Sequence, residues 1–156
     1  MNKQQYQQKR IQYIQELFEL NPDLFDHSLV PDIRPKGSNR VVATLPLNHH
    51  EIYGETVLFI NEKLDDNGNI ERYNYGWEYS QRERRMGRSV RHITAFGKEE
   101  HKNSPHCVAT DPYHHHHVPG DVAKRKETSV RDLETVVAII REYIVNNKEY
   151  NENHSF

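Results

Sequence analysis

Asn69-Ile70-Glu71-Arg72-Tyr73-Asn74-Tyr75-Gly76-Trp77-Glu78-Tyr79 decides the fold class. Tyr73, Tyr75, Trp77 and Tyr79 fall on one face of an extended chain, and Arg72, Asn74, Gly76 and Glu78 on the other. Just before it, Asp65-Asp66-Asn67-Gly68 is a turn signal, because Asn-Gly accepts positive φ. The preceding run, Glu55 to Lys63, is rich in β-branched and large apolar residues. Together these predict a hairpin over 55–64 and 69–80. An aromatic stripe of this kind is read first as the core face of a sheet under a helix. An exposed stripe would instead offer rings for stacking RNA bases.

Working outward, Arg40 to Leu47 and His92 to Gly97 read as further strands, with short candidates at Cys107–Thr110 and Tyr113–Val118. Ile11, Ile14, Leu17 and Phe18 recur at helical spacing before Asn21-Pro22, which predicts a helix over 3–20. Residues 21–40, with Pro22, Pro31, Pro35 and Gly37, read as irregular. Val130, Leu133, Val136, Val137, Ile140 and Ile144 form the buried stripe of a C-terminal helix over 129–146, with Ser129 as its cap. Residues 147–156 read as a frayed tail. The expected fold is α+β: an antiparallel sheet of about 4–6 strands within 41–118, packed by an N-terminal and a C-terminal helix, as one domain over 1–156.

An apolar fraction of 35% and a mean hydropathy of −0.98 predict a thin core, consistent with a homodimer or a stabilising partner. Net charge is −2, so any pull on nucleic acid must come from local patches. The single cysteine, Cys107, excludes an intrachain disulfide and a cysteine-rich zinc site. No apolar run approaches the roughly 20 residues of a membrane span, and no signal-peptide core is present, so the expected location is cytoplasmic, with no membrane partner.

Two clusters carry chemistry. The first is Asp111-Pro112-Tyr113-His114-His115-His116-His117-Val118-Pro119-Gly120. Histidine exchanges a proton near neutral pH and is the commonest metal ligand. On a strand, His115 and His117 share one face and His114 and His116 the other. Such a pair suits a general acid and base, or equally a metal clamp. A stable zinc site would need a third ligand from His92, His101, His106 or Asp111. Without either role, the tract is a polar turn. The second cluster is Arg82-Glu83-Arg84-Arg85-Met86-Gly87-Arg88-Ser89-Val90-Arg91, followed later by Lys124-Arg125-Lys126. Guanidinium forks bind phosphate bidentately; the alternative is a solvated loop. Arg82, Arg84, Arg85, Arg88, Lys124 and Arg125 are the candidate RNA or phosphate holders. A Gly-rich phosphate loop, a G-x-S-x-G elbow and a helical H-E-x-x-H pattern are all missing. Cys107 and His106 are adjacent on an extended chain and point apart, which argues against a nucleophile–base pair.

The order of motifs resembles the TumE-like toxins of bacterial toxin–antitoxin modules over roughly residues 55–145. The likeness lies in a Tyr-x-Tyr strand (Arg72 to Tyr79), a His-His-x-His-Val box, a following Gly120-Asp121 and a leucine/valine-rich helix. The family's box histidines fall on His114, His115 and His117, and His116 stands where the family has lysine. Arg84, Arg85 or Lys124 would then hold the phosphate. The family's earlier histidine falls on His101. The N-terminal helix and the arginine segment are not clearly part of the pattern. The resemblance implies a growth-inhibiting toxin, held in check by a cognate antitoxin protein, and it fits a ribonuclease that acts on RNA. His115 and His117 would transfer protons, with His101 as a third member and no metal or other cofactor. The competing expectations are a nucleic-acid-binding protein that uses the arginine segment without chemistry, and a histidine-rich metal-binding module.

Overall fold

In a computed structural model, residues 1–88, 91–98 and 132–150 are described in full, and 114–118 and 121–126 as backbone. Helix α1 (Lys3–Glu19) opens with a capping box. The Asn2 side chain accepts from Gln5 N at 2.9 Å, and the Gln5 side chain accepts from Asn2 N at 2.9 Å. It buries Ile11, Ile14 and Phe18 and ends at Leu20, where the Asn21 side chain donates to the Leu17 carbonyl. Seven strands follow: β1 (Asp32–Lys36), β2 (Arg40–Pro46), β3 (Thr56–Leu64), β4 (Ile70–Tyr79), β5 (His92–Lys98), β6 (His114–Val118) and β7 (Asp121–Lys126). A short helix α2 (Gln81–Arg85) sits between β4 and β5, and α3 (Leu133–Asn146) closes the order.

All strands pair antiparallel in the order β1 to β7. The α+β class, the antiparallel sheet with a helix towards each end of the chain and the β3–β4 hairpin are as expected, and the sheet carries two edge strands that the sequence patterns did not mark. One addition, β1, lies in the stretch read as irregular. It pairs Asp32 with Thr44 through Lys36 with Arg40, and it tolerates Pro35 because it is an edge strand. The other, β7, is the far edge. In the hairpin turn, Asp65 Oδ1 accepts from the Asn67 and Asn69 amides, and Gly68 adopts φ +80°. The Cys107–Thr110 strand candidate lies outside the described residues.

Both terminal helices pack on one face of the sheet. That face presents Val41, Ala43, Leu45, Leu58, Ile60 and Phe96 together with the aromatic stripe, whose four members are between 1% and 7% exposed. The stripe is therefore core. Trp77 stacks at a tilt on Tyr143 of α3, 5.5 Å between centroids, and takes the edge of Tyr53 at 5.2 Å. One charged cluster is buried with it. Arg10 of α1 makes a two-pronged contact to Glu62, 2.7 and 2.8 Å, and the Tyr75 hydroxyl donates to the same carboxylate at 2.5 Å.

Two expectations at the C-terminus need correction. The cap of α3 is Asp132, not Ser129: its carboxylate accepts from Thr135 N at 2.7 Å, so the helix begins at Leu133. Ser129 and Val130 lie outside the described residues. Residues 147–150 are tied down rather than frayed. Tyr150 N donates to the Tyr53 hydroxyl. The fully buried His50 accepts at Nδ1 from the amides of Ile52 and Tyr53, so Nε2 carries the proton and donates to the Lys148 carbonyl at 2.8 Å.

Candidate active site

The face of the sheet opposite the helices carries Asn61, Asn74 and Glu78 beside Val42, Phe59 and Ala95. Its rows follow from register. One row runs Thr44, Phe59, Gly76, Ala95, His117, Arg125, and the next runs Val42, Asn61, Asn74, Gly97, His115. His115 and His117 thus occupy register positions in these two rows. His114 and His116 take the rows of Lys98 and Phe96 on the helix side. Arg125 stands beside His117 across the β6–β7 pair, and Lys124 falls at the register shift of that pair. His101 lies outside the described residues.

Beside these rows is a recess of about 180 Å³, whose walls include Phe59, Asn61, Glu78, Arg91 and His92. Glu78 is its buried charge, 2% exposed. Arg91 Nε donates to Glu78 Oε1 at 3.0 Å, and His92 Nε2 lies 3.0 Å from Oε2. The Arg91 guanidinium also covers the Phe59 ring at 5.4 Å. Sequence reasoning placed Arg91 in the arginine segment and His92 among possible metal ligands, and it passed over Glu78. Alternation did put Glu78 on the polar face, but its burial depends on the register shift at Trp77/Glu78 that sets His92 opposite it.

Burial alone would raise the Glu78 carboxyl. The hydrogen bond from His92 and the charges of Arg91 and His92 outweigh it and hold the group below its ordinary 4.5. A carboxyl depressed on folding stabilises the protein above about pH 4.5, and that contribution disappears as pH falls through the folded value. Urea unfolding of wild type and Glu78→Gln should therefore show a gap at pH 7 that closes on acidification towards pH 3. A gap constant with pH would contradict this account of Glu78.

The arginine segment divides into two sets. Ser80 caps α2 by accepting from Glu83 N. Arg82 bonds Glu55 at 3.0 Å. Arg88 donates to the Ile52 carbonyl, faces Glu83 at 3.8 Å and stacks on Tyr79. Glu83 is further used by the Glu55 amide, to which its carboxylate is the acceptor. Arg84 and Arg85 are exposed and make no ion pair among the described residues. Among those residues, no three histidine, cysteine, aspartate or glutamate side chains gather into a metal-holding group, and no helix is long and apolar enough to cross a membrane.

The fold is that of a helix-backed antiparallel-sheet protein with one open face and a histidine-rich strand next to one edge of the sheet. The chain belongs to the TumE toxin family, whose model, described as Toxin TumE, matches residues 14–148. The match is broader than the resemblance seen in the motifs, since it begins inside α1 and includes the arginine segment. No curated protein and no solved structure matches the chain significantly.

Proposed function

We propose that this toxin is a metal-independent endoribonuclease whose proton-transfer pair is His115 and His117, acting in the cytoplasm and restrained by an antitoxin protein. The observation that carries the reading is the register of β5, β6 and β7. His115 is in register with Gly97, and His117 with Ala95 on one side and Arg125 on the other, which supports the pairing of these groups. Positions two apart on a strand are separated by about 7 Å, a span that brackets a phosphodiester. One imidazole takes the proton of the 2′-hydroxyl, whose oxygen attacks the adjacent phosphorus. The other gives a proton to the departing 5′-oxygen, leaving a 2′,3′-cyclic phosphate and a 5′-hydroxyl. Arg125 stabilises the extra charge on the phosphorane-like transition state. His101 remains a candidate third member.

Arg84 and Arg85 supply longer-range phosphate contacts, because Arg82 and Arg88 are already engaged. Replacing both Arg84 and Arg85 with alanine should lower the salt dependence of RNA binding, reducing the slope of log K against log salt by about 1–2. Replacing Arg82 should change the slope less. Equal effects at all three positions would contradict this division.

Induced expression in a bacterial host, scored for growth and total RNA integrity, tests the function. Arrest with RNA loss is expected from wild type and not from the His115→Ala/His117→Ala variant. Arrest by both proteins would indicate nucleic-acid binding without histidine chemistry.

A further inference from the structure

We propose that the recess on the open face is a base-binding subsite, which takes one unpaired nucleobase of the RNA and makes cleavage base-selective. The selectivity rests on the ribonuclease reading; the base binding does not. At about 180 Å³ the recess is smaller than the roughly 300–1,000 Å³ of pockets for drug-sized ligands, and it suits a single planar ring system. Its floor is made of the smallest side chains on the face, since Gly76 pairs with Ala95 across β4 and β5. Gly76 matters through what it lacks: a Cβ there would lie 2.8 Å from Glu78 Oε2.

The walls are those of a base reader. Phe59 neighbours Gly76 across β3 and β4, and the Arg91 guanidinium lies over its ring. Aromatic rings and guanidinium planes are the surfaces on which unpaired bases stack. Asn61 stands one row further along, in register with Asn74, and its amide can both donate and accept. Arg40 Nη1 donates to Asn61 Oδ1 at 3.2 Å, which fixes the orientation of that amide. The two rows that form the floor and the amide wall are the rows that reach His117 and His115 on β6. A base held on Gly76 and Ala95 therefore lies in the row of His117, one strand away from it.

Two measurements on the full chain test this. The four nucleoside 3′-monophosphates are titrated against the His115→Ala/His117→Ala variant, and wild type is given four short single-stranded RNAs that differ at one base. One base should bind about tenfold or more tightly over the weakest, and the same base should be preferred in cleavage. Gly76→Ala, which fills the floor, and Asn61→Leu, which removes the polar edge, should each bring both ratios towards one. Equal binding of all four mononucleotides, or an undiminished preference in both variants, would overturn the subsite. So would tighter binding of the free mononucleotide than of an RNA carrying the same base, since the RNA would then not be its ligand. Discrimination among mononucleotides without cleavage of any RNA would uphold the subsite and refute the ribonuclease. Cleavage without base preference would do the reverse.

Discussion

Replacing His115 and His117 together with alanine is expected to lower the rate of RNA cleavage by about 10²–10⁴-fold, the range supplied by positioned acid–base groups. Both positions lie on β6 opposite Gly97 and Ala95, so the substitution acts on the open face rather than on the helix-packed rows of Phe96 and Lys98. Each single variant should lose most of what the pair loses, because groups that act in one proton-transfer cycle are not additive. His114→Ala and His116→Ala, on the other rows, should retain far more activity. RNA affinity should persist in the double variant, since Arg84 and Arg85 are unchanged. A double variant that cleaves at the wild-type rate would refute the assignment, and a thermal midpoint measured beside the rate would separate lost chemistry from lost fold.

Removing Arg10 should have the largest effect on stability, about 3–5 kcal/mol, because it strands a buried carboxylate. Glu62 is fully buried, and it is compensated by the two Arg10 contacts and by the Tyr75 hydroxyl. Burial opposes the charge on Arg10, but the hydrogen bond and the charge of Glu62 more than offset it, and the guanidinium is held more firmly protonated than usual. Burial and the Glu62 charge likewise hold the Tyr75 hydroxyl neutral, so it remains a donor. The cluster ties α1 to β3 and β4. Urea unfolding of Arg10→Ala should show the full loss. Arg10→Met combined with Glu62→Met and Tyr75→Phe should recover much of it, since an apolar set of similar volume leaves no orphaned charge. An Arg10→Ala protein within about 1 kcal/mol of wild type would contradict the account.

The hairpin and the core stripe were legible because both signals are local: Asn67-Gly68 makes the turn, and a period of two sorts Tyr73, Tyr75, Trp77 and Tyr79 from Asn74, Gly76 and Glu78. Strand β1 was not legible, because Pro31, Pro35 and Gly37 are turn formers in isolation, and only the pairing of Asp32–Lys36 with β2 makes an edge strand between Pro31 and Gly37. The arginine segment could be counted but not sorted. Arg82 is engaged by Glu55, 27 residues away, and Arg88 by the Ile52 carbonyl, 36 residues away. Pairing at that separation leaves no periodic trace. The same holds for the site. Alternation separates His115 and His117 from His114 and His116, but their neighbours Gly97, Ala95 and Arg125 follow from strand register. The α3 start went to Asp132 because its carboxylate meets the Thr135 amide, a choice that two nearby capping residues leave open in the sequence.

The most direct measurement is the chemistry of the cut ends. Purified protein is incubated with end-labelled single-stranded RNA in excess metal chelator, and the products are analysed beside those of the His115→Ala/His117→Ala variant. A histidine acid–base mechanism predicts 2′,3′-cyclic phosphate and 5′-hydroxyl ends from the wild type, undiminished by chelator and absent from the variant. Ends bearing a 3′-hydroxyl, cleavage abolished by chelator, or intact RNA throughout would contradict it.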